Sequence, residues 1–187
     1  MIVNETLDVI KRRRSVRSYT GEQITEEELQ AVLEAGLCAP HAADQAWHFT
    51  VVQNRELLDR LDLAAREAAR QMGVPHLSEL ADDPAFHTLH RAPTLIIVSG
   101  EEQSPVPLEA DCAAATENML IAAESLGLGS CWIFYVMMAF MSPQGPELRE
   151  ALRIPAGYKP YDAAVFGYKK GAVAGAPERK PNLITYL

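Results

Sequence analysis

The residues best equipped for chemistry lie together near the start, in Lys11-Arg12-Arg13-Arg14-Ser15-Val16-Arg17-Ser18-Tyr19. Five of these nine are cationic, in a chain whose formal net charge is -8. Unpartnered, such charges repel one another by about 1 kcal/mol per close pair in water, and by more at a protein surface. A bound phosphate reverses that sign. Each charge-assisted hydrogen bond to it contributes roughly 1.5–3 kcal/mol, and the planar fork of Arg matches phosphate oxygens. The run also reads as a solvated basic helix end, where cations complement the helix dipole. Taken alone, it leaves both readings open.

Other candidates say less by themselves. Gly127-Leu128-Gly129 ends a helix instead of following a strand, and no third Gly arrives on time, so it is not a dinucleotide-binding turn. His87 and His90 are spaced to share a helix face as a metal pair, but no further ligand lies nearby. His41, Asp44 and His48 have a comparable spacing, yet strand alternation gives His48 a packing or surface role. The three cysteines, Cys38, Cys112 and Cys131, form no Cys-x-x-Cys pair. They predict reduced thiols, buried as small hydrophobes, in a cytoplasmic protein.

The whole chain sets bounds on the answer. Its 187 residues fit a single domain, 1–187, with a sizeable core. The acidic balance argues against a general nucleic-acid binder, whose affinity comes mainly from phosphate neutralisation. The start carries no cationic region before an apolar run, so no secretory signal is expected. No apolar run approaches membrane-spanning length.

The elements that must position these residues follow from apolar period and capping. Asn4 predicts the cap of a helix to about Arg13, with Leu7, Ile10 and Val9 inward. Thr25-Glu26-Glu27-Glu28 is a capping box, with Ile24 and Leu29 as its hydrophobic staple. That helix runs through Val32, Leu33 and Leu37 to a loop from Ala39 to Ala46. Residues 47–52 read as a strand, and Asn54 caps a helix with Leu57, Leu58, Leu61 and Ala65 buried. The pattern lapses over 73–91, which predicts a mobile excursion that could serve as a lid. Residues 93–99 form the clearest strand, apolar enough to be central. An Ala-rich helix spans about 108–126. A tight turn at 127–130 precedes a short strand over 131–134. A helix near 146–152 and a last strand over 163–168 follow. Residues 171–187 form a C-terminal arm whose apolar end is expected to dock, plausibly on a partner subunit. The class is α+β, with helices covering a sheet of four or five strands.

At this point the sequence resembles the nitroreductase family of FMN-dependent oxidoreductases. Arg13-Arg14-Ser15-Val16-Arg17-Ser18-Tyr19 is close to its N-terminal Arg-Arg-Ser-x-Arg-x-aromatic motif. Ala39-Pro40, followed by Gln45-Ala46-Trp47-His48-Phe49, looks like its Ala-Pro-Ser…Gln-Pro-Trp-x-Phe segment. Leu126-Gly127-Leu128-Gly129-Ser130-Cys131-Trp132 after Glu117-Asn118-Met119 is a third match, and Gly167-Tyr168 with Arg179-Lys180-Pro181 a fourth. The resemblance implies a mostly antiparallel central sheet flanked by helices and an interlocked homodimer. FMN would bind at the subunit interface, with NADH or NADPH as hydride donor. By motif matching, Arg13 and Arg179 would hold the FMN phosphate, with Arg14, Ser15 and Lys180 nearby. Arg17 would sit by the ribityl chain and the pyrimidine edge. The Pro40-His41-Ala42 backbone, with Asp44 beyond it, would reach the ring from the other subunit. Gly129 and Ser130 would approach the ring near N5.

The residue types suit that chemistry. Reduced flavin is anionic at N1 and O2, so a cation there raises its reduction potential. A Gly-rich turn lets backbone N–H groups approach the ring. The implied reaction is ping-pong: hydride from NAD(P)H to the flavin, then electrons to a nitroaromatic, quinone or related electron-poor acceptor. It requires no protein nucleophile or paired carboxylates, and none is evident. Three departures from the family pattern leave a non-catalytic FMN carrier or sensor, or another flavin reaction such as dehalogenation or substrate oxidation, as alternatives. His41 stands where Ser is usual, Ala46 replaces Pro, and the loop is one residue shorter, with Asp44 next to Gln45. The stretch Phe134, Tyr135, Met137, Met138, Phe140 and Met141 reads equally as core, dimer interface or acceptor-pocket wall.

Overall fold

The computed structural model describes residues 2–42 and 44–187. Its centre is a four-stranded antiparallel sheet in the order β1-β2-β4-β3. The strands are β1 (Trp47–Val52), β2 (Thr94–Glu101), β3 (Gly129–Trp132) and β4 (Tyr158–Gly167). β2 is central and buried along seven of its eight residues. Leu95 and Ile97 enter one apolar cluster while Ile96 and Val98 enter the other, so both faces of the sheet are covered. That explains its uninterrupted apolar run: each such side chain, fully buried, contributes about 1.5–3 kcal/mol.

One face is covered by α2 (Glu26–Leu37) and α5 (Glu109–Ser125). The small side chains of α5 permit close approach to α2. A Cβ built at Gly36 would lie 2.9 Å from both Met119 and Phe49. Asn118 Nδ2 also donates to the Ala35 carbonyl across the same contact, at 3.0 Å. The capping box of α2 forms as expected, with both Thr25 and Glu28 side chains engaged. Ile24 and Leu29 are both buried in the same cluster. The opposite face is covered by α3 (Arg55–Gln71), α6 (Met137–Met141) and α7 (Gly145–Ala151).

The stretch 73–91 contains a helix, α4 (Pro75–Asp82), that the apolar pattern does not announce. Its end is held from α3. Arg66 and Arg70 both donate to the Ala81 carbonyl, and Arg70 pairs with Asp82 at 2.6 Å. These are helix C-terminal carbonyls satisfied by side chains of another element.

Several expectations are corrected. In α1 (Glu5–Arg12) the inward residue is Val9, while Leu7 and Ile10 are exposed. Spacing shows that residues 7 and 10 share a face but not which face meets the core. Leu37 and Cys38 at the end of α2 are exposed, so Cys38 is not a buried thiol. β4 begins at Tyr158, well before Ala163. Its first half is disguised by Pro160, which sits opposite Ser99 at a register shift, where a residue without an N–H is tolerated. The ladder of β3 starts at Gly129, opposite Gly167, so the turn is shorter than its glycines suggest. Only Gly127, at φ 79°, uses the left-handed conformation there.

Candidate cofactor site

The site is built by stitching the start of the chain to its end. After α1 the chain runs beside β3, where Val16 N–H donates to the Ser130 carbonyl at 2.9 Å. It then runs beside the segment after β4. Thr20 N–H donates to Tyr168 O, and Lys170 N–H donates to Ser18 O, both at 3.0 Å. Isolated bridges join Ser15 to Ser130 and Tyr19 to Lys169. Val16 and Tyr19 are buried, and the Tyr19 hydroxyl donates to Val16 O at 2.6 Å. Burial pushes the Tyr19 phenol far above its ordinary range. With Val16 and Tyr19 anchored inward, Ser15, Arg17 and Ser18 are left exposed.

This arrangement needs glycine at 129. A Cβ there would lie 2.9 Å from Val16 and 3.0 Å from Lys169. Gly129 and Ser130 therefore lie beneath the 15–17 segment, with Ser130 buried.

The arm beyond Lys170 passes back over the basic run. Ala174, Gly175, Pro177 and Arg179 join Arg13, Arg14, Ser15 and Arg17 around one cavity of about 380 Å³. Among the described residues, no acidic side chain lines it. The cations of the run are sorted by direction. Arg12 pairs with Glu124 at 3.2 Å, and Lys169 meets the other oxygen of that shielded carboxylate at 2.8 Å. α1 stops at Arg13, whose backbone leaves the helical region (φ -52°, ψ 135°), and the Arg13 side chain takes a different partner from that of Arg12. It reaches Glu117 at 3.4 Å. Arg14 donates to the Lys11 and Arg13 carbonyls, which holds its guanidinium over the helix end. Among the described residues, Arg17 and Arg179 form no ion pair. The donors thus suit a dianionic phosphate: several Arg forks, a hydroxyl, and three cavity-lining cations, Arg14, Arg17 and Arg179, that form no ion pair among the described residues.

The other sequence candidates lie elsewhere in the chain. Lys180 is exposed beside the cavity without lining it. Pro40, His41, Ala42 and Asp44 belong to the loop between α2 and β1, outside the cavity lining. Ala42 N–H donates to Asp111 at 3.1 Å, and Gln45 Nε2 donates to the Leu37 carbonyl at 2.8 Å. The His41 ring meets Trp47 edge-on. The apolar stretch after β3 divides: Met137, Met138 and Phe140 are buried, whereas Phe134 and Met141 are exposed. Among the described residues, no three His, Cys, Asp or Glu side chains are grouped to hold a metal. Nor is any helix long and apolar enough to cross a membrane.

Sequence reasoning missed a second cavity, of about 250 Å³. It shares Arg17 with the first and is also lined by His87, His90, Arg91 and Lys170. The available signal was charge: Arg91 follows His87 and His90 closely, whereas the spacing of the two histidines by itself points to a metal pair.

Known proteins resemble this chain in sequence and in fold. A sequence model of the nitroreductase family matches residues 10–168. A nitroreductase with bound FMN from Bacteroides fragilis has a similar structure, with TM-score 0.91 and 37% identity over 99% of this chain and 100% of that one. A nitroreductase with bound FMN from Desulfitobacterium hafniense gives TM-score 0.88 and 28% identity, with both chains fully covered. FMN reductase (NADPH) of Bacillus subtilis is 28% identical over 191 residues, covering 97% of this chain and 71% of that protein.

Proposed function

The chain belongs to the nitroreductase family, and on that premise we propose that it is an FMN-dependent oxidoreductase that takes hydride from NAD(P)H. Its acceptors are nitroaromatics, quinones or related electron-poor small molecules. The observation that carries the reading is the joining of Arg13, Arg14, Ser15 and Arg17 with Arg179 around one cavity that, among the described residues, has no acidic side chain in its lining.

The bound flavin would supply the redox chemistry, accepting hydride and passing electrons on. The chain's own residues bind and orient it. Arg13, Arg14, Ser15 and Arg179 hold the phosphate, with Lys180 adding positive charge nearby. Arg17, at the boundary of both cavities, faces the part of the ligand beyond the phosphate. Gly129 and Ser130 support that segment from below and bring the β3 backbone toward the ring.

A homodimer completes the site. One chain leaves Pro40, His41, Ala42 and Asp44 outside its own cavity, so they serve the site of the second copy. Two apolar surfaces fit that assembly. Ile2, Val3, Leu7 and Ile10 are exposed at the start, and Leu183, Ile184, Tyr186 and Leu187 at the end. Among the described residues, no backbone–backbone hydrogen bond ties the arm 171–187 to the body. Exposed apolar groups at the end of such an arm gain most by docking on a partner.

The test is direct. Purified protein should be yellow, and NADH or NADPH should bleach it under anaerobic conditions, with colour returning on adding a quinone or nitroaromatic. A colourless protein that binds no added FMN overturns the proposal. Bound FMN that reduced nicotinamide cannot bleach would mark a carrier or sensor instead.

A further inference from the structure

The cavity on the far side of Arg17 is basic at every titratable position except Tyr19. Its floor is a fixed turn. Asp62 on α3 accepts from both the backbone N–H and the hydroxyl of Thr88, and lies 3.5 Å from His87 Nδ1. Leu89 and Ala92 are buried on either side of His90 and Arg91. Those two residues have φ of 51° and 56°, in the left-handed region that bulky residues rarely enter. Strain of this kind persists where packing imposes it, and it recurs at ligand clamps. Here it presents two consecutive basic side chains to the same cavity as Arg17.

Arg17 lines both cavities, which places the second within reach, past Arg17, of a ligand whose phosphate lies among Arg13, Ser15 and Arg179. We propose that the second cavity receives the edge of the flavin ring that becomes negative on reduction, and that His90 takes up one proton when it does. This rests on the FMN reading above. Hydride from NAD(P)H carries two electrons and one proton, and leaves the ring with one negative charge. The His90 imidazole takes a second proton from solvent and becomes imidazolium. When an electron-poor acceptor removes the two electrons, His90 returns that proton.

Only a base with a free lone pair can play this part. Arginine and lysine side chains such as Arg17, Arg91 and Lys170 are donors without an acceptor site. His87 is engaged with Asp62. Burial, then the neighbouring Arg17 charge, holds His90 below the ordinary histidine range, with His87 adding to this and Asp62 opposing it. Tyr19, pushed up by burial, stays neutral. His90 is therefore neutral before reduction, and a new negative charge beside it raises its affinity for a proton.

The experiment measures the midpoint potential of the FMN-loaded full-length protein across the range where histidine titrates, about pH 5 to 8. For two electrons, each proton taken up adds a slope of about 30 mV per pH unit. Reduction by hydride alone gives one such increment. With His90 the slope doubles between its values in the oxidised and reduced protein, and the potential rises as pH falls. His90→Gln should halve the slope in that window, and His87→Gln should keep it. Equal slopes in the wild type and His90→Gln overturn the inference while leaving the FMN reading intact. Should His90→Gln fail to fold or to hold FMN, imidazole NMR of the wild type near pH 7 gives the answer. His90 should be neutral with oxidised flavin and charged with reduced flavin, and a neutral signal in both states overturns the inference. A protein that binds no FMN at all overturns the functional reading and this inference together.

Discussion

At the scale of single residues, the basic run is informative because its members do different work. Arg12 and Arg13 are neighbours in sequence, yet α1 ends between them and they diverge. Arg12 goes to a shielded carboxylate, Glu124, and Arg13 to the cavity. Arg13→Ala should weaken FMN affinity by about 10- to 100-fold, the worth of one charge-assisted hydrogen bond of roughly 1.5–3 kcal/mol. Fluorescence titration of the stripped protein with FMN measures it, and unchanged affinity would remove Arg13 from the phosphate site. Arg12→Ala should leave FMN affinity nearly intact and instead lower the melting temperature. Gly129→Val makes a separate point. Its side chain would collide with Val16 and Lys169, and overpacking of this kind costs about 1–3 kcal/mol. Because the displaced segment carries Ser15 and Arg17, stability and FMN affinity should fall together, in thermal melts and titrations respectively.

At the scale of elements, the capping box of α2 ties a helix start to the site. Glu28 Oε2 accepts from the Thr25 backbone N–H at 2.8 Å and from the Thr25 hydroxyl at 2.9 Å. It also accepts from the Tyr168 hydroxyl at 2.7 Å, just before the segment paired with Ser18. The Tyr168 bond, more than those from Thr25, holds the Glu28 carboxyl below its ordinary range. A carboxyl depressed in the folded state adds stability at neutral pH, and that stability is lost as pH falls from the ordinary glutamate value through the depressed one. Glu28→Gln should therefore cost stability near pH 7, with the gap from the wild type closing in acid. Denaturant melts at several pH values would show it, and a gap independent of pH would count against this account. Thr25→Ala should cost about 1 kcal/mol, the usual worth of a helix cap.

At the scale of the whole molecule, the arm is the decisive part. It lines the anion cavity through Arg179 and carries exposed Leu183, Ile184, Tyr186 and Leu187. Ending the chain after Lys170 should leave the sheet and both apolar clusters intact, since no arm residue belongs to either. The truncated protein should lose FMN and shift toward monomer in analytical ultracentrifugation. Retention of both properties would show that the arm serves neither. The family match covers residues 10–168 and stops short of this arm, so its contribution has to be measured separately.

Local rules in the sequence determined the helix caps at Asn4, Thr25 and Asn54, the central strand, the Ala-rich helix and the existence of a cationic cluster. Each depends on neighbours within a few positions, where period and capping chemistry act. Tertiary structure decided what those rules cannot reach. It selected Val9 over Leu7 and Ile10 as the buried side of α1, and it extended β4 back past Pro160. It also brought Arg179 to Arg13 and Lys170 to Ser18 and His90. Those meetings join residues far apart in the chain, and the burial of Val16 and Tyr19 in the core holds the basic segment in place for them.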